Sequence, residues 1–193
     1  MTPTPRVDLV TTIHKAVRKL LFEQAMLLAR SDFGCDDDVA RACDALDNTT
    51  LMLREHAEHE DVVVFPALAE LDHLLASEAV RQHQVLEQSM REIGRVAATL
   101  RLATRAERHR LGRDLTQRFN QLVAAQLDHL AFEEGELQPA FWLSKTDQEL
   151  LAIRLSIHGS ISQARGKVWM DLLRTAVDPA SLAAFAPPEP LVA

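Results

Sequence analysis

The chain has no tyrosine, only six glycines and two cysteines, and 5% aromatic residues among 193 positions. Without tyrosine, tyrosyl-radical chemistry and tyrosinate ligation are excluded. So little aromatic and glycine content is poor material for sheets, which draw on aromatic and β-branched side chains. Two cysteines, Cys35 and Cys43, cannot form a disulfide framework, so free thiols in a reducing cytoplasm are expected. Basic charge is also short. Twenty-one basic against 28 acidic residues give −7, which argues against a nucleic-acid partner. The longest apolar run, Val62 to Ala69, is broken by Pro66. A membrane span needs about 20 such residues, so no membrane partner is expected. The start, Met1-Thr-Pro-Thr-Pro-Arg, lacks the charged and apolar regions of a secretory leader.

What is present is helix-forming. Leu, Ala and Arg dominate, with Glu and Gln adding further helix formers, and the chain reads as all-α. An apolar fraction of 47% with 25% charged residues supports one well-filled core. A first helix is expected from Asp8 to Arg30, with Val10, Val17, Leu21 and Leu28 on one stripe. Gly34 offers a left-handed cap at its end. The second helix starts near Asp36–Asp38 and carries the stripe Ala42, Leu46, Thr49, Leu53, His56, Glu60, Val63 until Pro66 kinks or ends it. The third is expected from Ser77, as N-cap, to Leu100. A capping box, Thr104-x-x-Glu107, opens the fourth, whose stripe is Leu115, Phe119, Leu122, Gln126, His129, Glu133. A second box, Thr146-x-x-Glu149, starts a helix expected to run past Gly159 toward Leu173. The reading is an up-down-up-down four-helix bundle over residues 8–140, a helical extension over 141–185 and a loose tail over 186–193.

Eight histidines are the unusual item. The pair His-x-x-x-Glu occurs at His56/Glu60, His83/Glu87 and His129/Glu133, where chance predicts about 0.6 occurrences. On a helix such residues share one face. His14 to His56 spans 42 residues and His83 to His129 spans 46, so each pair straddles one helical hairpin. Near-equal arms place the two histidines of a hairpin within about 6 Å along the axis. A lone buried histidine is ordinarily a hydrogen-bonded core residue, and a lone His-Glu pair a solvated one. Here, however, His56, Glu60, His129 and Glu133 fall on the apolar stripes. Buried like charges are costly, and cations offset that cost. Four imidazoles and two carboxylates exceed the needs of one tetrahedral zinc and suit a pair of iron or manganese ions.

His14, His56-x-x-x-Glu60, His83 and His129-x-x-x-Glu133, with Phe65-Pro66 after the second motif, resemble the hemerythrin-like (HHE cation-binding) domain over roughly residues 8 to 140. The resemblance implies a non-heme di-iron centre with an oxo or hydroxo bridge, in which manganese or zinc can substitute. It also implies a small diatomic ligand or peroxide as the partner. The four histidines would be terminal ligands, and Glu60 and Glu133 would bridge. Oxygen carriers of the family place a second histidine where this chain has Glu87, and use His-x-x-x-x-Asp on the fourth helix. The chain therefore looks more like the regulatory and repair branch, which senses or reacts with oxygen, nitric oxide or peroxide, or handles iron. A di-iron oxidase or peroxide-consuming enzyme is the alternative, with Ala124, Ala125 and Ala131 as candidate borders of a pocket.

Secondary candidates are Glu87 at an open coordination position, His59 as a ligand, and Glu136 as an orienting group behind His129. His73, His109 and His158 read as surface or capping residues. The apolar stretch from Phe141 through Leu150, Ile153 and Ile157 is expected to bury against the bundle as a lid over the metals. Alternatively, it forms a homodimer interface.

Overall fold

The computed structural model describes residues 6–185, and these are helical throughout with no strand among them. Four long helices form the body: α1 (Thr11–Arg30), α2 (Asp36–His59), α4 (His73–Leu102) and α5 (Arg105–Phe132). Each packs on two others, in the cyclic order α1, α2, α4, α5. The connections are short, and His14 near the start of α1 lies beside His56 near the end of α2, as His83 of α4 lies beside His129 near the end of α5. This is the expected up-down-up-down bundle. No described helix is long and apolar enough to cross a membrane.

The helix starts follow from local hydrogen bonding. Asp8 accepts from the backbone N–H groups of Val10, Thr11 and Thr12 at 3.0–3.2 Å, satisfying donors that a first turn leaves free. Both Thr-x-x-Glu capping boxes form, at Thr104/Glu107 and Thr146/Glu149. The third long helix starts five residues earlier than expected, because Asp72 caps it by accepting from Leu74 and Leu75 N–H at 3.0 Å. Ser77 lies inside that helix and donates to the His73 carbonyl. Gly34 is not a left-handed cap, since no described glycine has positive φ. It is crowded instead: a Cβ there would lie 3.1 Å from both Asp32 Oδ1 and the His109 ring. Closer still is Gly112, whose missing side chain lets Phe33 lie directly on α5.

Pro66 does not end the second rod. A π-helical turn, Glu60–Val64, leads into α3 (Phe65–Ala69), and the Phe65 N–H reaches back five residues to the Glu60 carbonyl. Proline lacks an N–H and collides with the carbonyl four residues back, and the wider turn accommodates both defects. The fourth rod repeats the device. A π turn, Glu133–Leu137, leads into α6 (Gln138–Ser144) with Pro139 in its first turn, and Gln138 N–H reaches the Glu133 carbonyl. The wider turn also moves the inward stripe after Glu60 to Val64, which is buried, rather than Val63.

Beyond residue 146 the chain forms α7 (Asp147–Ser160), α8 (Gln163–Ala176) and α9 (Pro179–Phe185). The expected single helix past Gly159 is two, because Ser162 caps a new start by accepting from Arg165 N–H. The extension packs on the bundle, with α7 against the first π turn and α8 and α9 against α1. Arg165 grips Glu55 of α2 through two bonds of 2.6 and 2.7 Å, and Trp169 donates to the same carboxylate. The tail from residue 186 lies outside the described residues.

Two apolar layers frame the site. The larger fills the body of the bundle with residues such as Leu21, Leu46, Ile93, Leu115 and Phe119. The smaller closes the end where the π turns lie, with Leu9, Phe65, Leu68, Leu137, Phe141 and Leu150. Between them sits a layer of buried histidine and glutamate.

Candidate metal centre

Every residue expected to bind metal is buried in this layer: His14, His56, Glu60, His83, His129 and Glu133 are each 7% exposed or less. Helix periodicity brings them there, since each lies on the inward stripe of its rod, one histidine per long helix. Their donor atoms form two groups. His14, His56, Glu60 and Glu133 offer atoms within 4.8 Å of one another, and so do His83, His129, Glu60 and Glu133. Both glutamates belong to both groups. Glu60 shows this directly, with Oε1 lying 3.3 Å from His56 Nε2 and Oε2 lying 3.5 Å from His83 Nε2. Glu133 Oε2 faces His14 Nε2 at 3.2 Å and His129 Nε2 at 3.5 Å.

The other ring nitrogens fix which atom faces the centre. His14 Nδ1 donates to Glu134 and His83 Nδ1 donates to Asp61, each at 2.9 Å. His129 Nδ1 donates to the Gln82 amide oxygen, also at 2.9 Å. A proton on Nδ1 leaves the Nε2 of a neutral imidazole as a bare lone pair aimed inward. His83 Nε2 and His129 Nε2 stand 2.9 Å apart. Two lone pairs at that distance repel, and a proton or a metal cation relieves the repulsion. Further in, His14 Nε2, His56 Nε2, Glu60 Oε2 and both Glu133 oxygens are buried without a hydrogen bond. Leaving so many buried polar atoms unpartnered is costly, and cations would satisfy all of them at once. The donor set therefore fits a pair of metal ions.

Burial works against charge on every group here, and the partners decide the outcome. It pushes His56 down to about 4 and His129 to about 3. His83 resists, because Asp61 and Glu60 hold it up at about 10. His14, faced by Glu133, Glu134 and Glu60, also ends well above its ordinary value despite its burial. Burial and the charge of Glu60 push Glu133 up to about 7. Glu60 goes the other way, held well below the carboxylate range against its burial by His56, His14 and His83. Four histidines and two carboxylates in one dry layer thus divide into proton holders and proton refusers.

The secondary candidates fall elsewhere. Glu87 points away from the cluster into ion pairs with Arg54 at 2.9 Å and Arg91 at 3.6 Å. His59 is half-buried and shares a hydrogen bond with Ser160, outside both donor groups. Glu136 is exposed. The acids behind the histidines are instead Asp61 and Glu134, and Glu134 is further held by Arg18 through two bonds. A sequence signal for them exists. His56-x3-Glu60-Asp61-x4-Pro66 recurs as His129-x3-Glu133-Glu134-x4-Pro139, with an acid directly after each shared glutamate.

The alanines do not border the cavity that reaches His56 and Glu60: Ala131 is exposed, Ala124 is exposed at the rim of an open hollow near Phe33, and Ala125 lies by a shallow hollow beside His129. His158, expected at the surface, is half-buried in the cavity wall together with His56 and His59. His73 and His109 are exposed near helix starts, as expected.

A family model described as the hemerythrin HHE cation binding domain matches residues 6–141. The match covers the four rods, both π turns and all six clustered residues, and stops before the C-terminal extension. The chain has no significant match among curated proteins or among solved structures.

Proposed function

Since the chain belongs to the hemerythrin HHE cation-binding domain family, we propose that its buried layer holds two iron ions and senses or reacts with oxygen, nitric oxide or peroxide. The observation that carries this reading is the membership of Glu60 and Glu133 in both donor groups. His14 and His56 would hold one ion, His83 and His129 the other, and the two glutamates would bridge. A pair of iron ions there would supply one-electron chemistry and a coordination position for a small oxidant. The chain's own part is to orient and to exclude. Asp61, Glu134 and Gln82 fix three imidazoles with Nε2 inward. Arg18 anchors Glu134, and the two apolar layers keep bulk water from the carboxylates.

Two histidines and two shared carboxylates per group is a symmetric set, without the additional histidine of an oxygen carrier. This favours reaction or sensing over reversible carriage. A cavity that reaches His56 and Glu60 favours a second reading, a di-iron oxidase or peroxide-consuming enzyme.

The test is metal analysis after anaerobic reconstitution with ferrous iron, with manganese and zinc in parallel. About two ions per chain are expected, falling sharply in His56→Ala and His129→Ala. Full iron retention by the double variant, or a wild-type chain that takes up none, would end this reading. Repeated oxygenation and deoxygenation that restores the starting spectrum over many cycles would instead identify a carrier.

A further inference from the structure

Between the bundle and its C-terminal helices lies a cavity of about 330 Å3, at the small end of the ligand-pocket range of about 300–1,000 Å3. Its walls are mainly apolar: Ile13 of α1, Val64 of the first π turn, Ile157 of α7, and Trp169, Met170 and Leu173 of α8. Polar groups interrupt the walls at two places of opposite character. One is the edge of the candidate metal centre, His56 and Glu60. The other is on α7, where Arg154 and His158 stand four residues apart and so share a helix face.

The α7 pair has no carboxylate in contact among the described residues. Arg154 is half-buried, and among the described residues no carboxylate forms an ion pair with it. Its Nη1 donates to the Ala184 carbonyl at 3.1 Å. Asp8 acts on it through space but is occupied capping α1. Nδ1 of His158 is buried and has no hydrogen bond. A guanidinium drawn partly out of water with no carboxylate in contact calls for an anion. The other polar lining side chains give no such demand: His59 is engaged by Ser160, Ser162 caps α8 and Gln163 is exposed. Glu60 sets the polarity, since a ligand anion is repelled from its end of the cavity and drawn to the α7 end.

We propose that this cavity binds a small monocarboxylate with an apolar body, of the size of octanoate, its carboxylate held by Arg154 and His158 and its hydrocarbon laid against Ile13, Trp169 and Leu173. One guanidinium and one imidazole match the two oxygens of a single carboxylate. The site goes beyond the metal reading and does not depend on it, because its walls are protein side chains outside both donor groups except at His56 and Glu60. It lies where an organic molecule would come beside the metal edge.

The test uses the full chain with Trp142→Phe, which leaves Trp169 as the only tryptophan and a reporter in the cavity wall. Octanoate, 1-octanol and octylammonium are titrated by fluorescence and calorimetry, on protein with and without metal. Octanoate should bind once per chain and tightest, octanol more weakly and octylammonium least. Arg154→Gln should weaken octanoate at least about tenfold and make it no better than octanol. Gly166→Leu provides an independent block. A Cβ there meets nothing nearer than Ile161 at 3.8 Å, so the added side chain can fill the cavity, and the helix gains a better former. Octanoate and octanol should both lose binding in that variant, with unchanged helix content by circular dichroism. Equal binding of the three probes, or octanoate binding indifferent to both substitutions, overturns the proposal. Octanoate binding that persists in metal-free protein upholds it even where iron uptake fails.

Discussion

The two halves of the central layer are built from one pattern and finished differently. In the half formed by α4 and α5, both imidazoles are secured from behind, His83 by Asp61 and His129 by Gln82. In the half formed by α1 and α2, Glu134 secures His14, but His56 has no partner for Nδ1 among the described residues. The difference traces to one position. Gln82 precedes His83 in the chain as Ile13 precedes His14, and isoleucine cannot accept a hydrogen bond. Ile13 and His56 face the cavity closed by α7 and α8. The half with both imidazoles secured is built for a fixed ligand set, whereas the other gives up one orienting bond at the wall of the cavity.

The largest expected effect removes what the halves share. Glu133→Gln keeps size but deletes a carboxylate that belongs to both donor groups, so metal content should fall from about two ions to near zero. Stability should move in opposite directions with and without metal. The loaded wild-type protein gains about 4 kcal/mol per ion at metal concentrations a thousandfold above the dissociation constant, and the variant forfeits this. Without metal, Glu133 is a fully buried acid beside Glu60, and neutral glutamine should leave the melting temperature unchanged or raised. A metal-free variant that melts well below metal-free wild type would show that Glu133 is structural.

Protons should compete with metal, and more strongly at some histidines than others. His83, held up at about 10, and His14, also raised, keep a proton at neutral pH in metal-free protein. His56 and His129, pushed down to about 4 and about 3, are already neutral. Each proton on an Nε2 must leave before that nitrogen binds metal, so acid opposes binding. The logarithm of metal affinity should climb about one to two units per pH unit between pH 6 and 8. Calorimetry in buffers of different ionisation enthalpy counts the protons released. The count should be about one at each half, from His14 and from His83, with a further fraction from the shared Glu133, which burial and Glu60 hold at about 7. A count of zero would mean that the carboxylates do not hold these histidines charged.

A smaller effect is expected from removing the extension after Ser144. The cut must fall there, because Phe141 is fully buried in the apolar layer above the centre. Truncation strips Leu150 from that layer and uncovers the first π turn and the cavity side of His56. Reduced iron should then oxidise several-fold faster at unchanged metal content, followed by stopped-flow absorbance. An unchanged rate, together with a shift from dimer to monomer on sizing, would make the extension an interface and not a lid.

The bundle and the six clustered residues were legible in the sequence because both obey helix periodicity. His56, Glu60, His129 and Glu133 sit on apolar stripes where isolated charge is not tolerated. What escaped was set by a departure from that periodicity or by side chains reaching between helices. The π turns hid behind Pro66, which reads as a stop although the chain widens and continues. Asp61 and Glu134 lie off the inward stripe and reach their histidines on a neighbouring helix. Glu136 was a candidate because seven residues return to the same face of an α-helix, but the π turn beginning at Glu133 rotates it outward. The cavity could not be read at all. Arg154 and His158 acquire meaning only when α7 folds against the first π turn and α8 against α1, contacts with no local signature.

The smallest effect should come from converting one half into the other. Ile13→Gln places an amide where Gln82 stands in the second half, offering His56 Nδ1 an acceptor. Second-sphere hydrogen bonds of this kind typically change metal affinity by about 10–100-fold when removed. Adding one at a solvent-edged position should gain less, about two- to fivefold, and only at the first ion. Gln82→Leu is the reverse operation and should weaken the second ion by more, since His129 is 2% exposed and its Nδ1 would be left without an acceptor. Stepwise metal titration resolves the two ions: wild type should bind with distinguishable affinities, Ile13→Gln should bring them together, and Gln82→Leu should reverse their order. If Ile13→Gln leaves both steps untouched while Gln82→Leu abolishes one, the partnerless nitrogen of His56 is not the cause of the asymmetry. The difference between the halves would then lie in the cavity itself, through its water and whatever it holds.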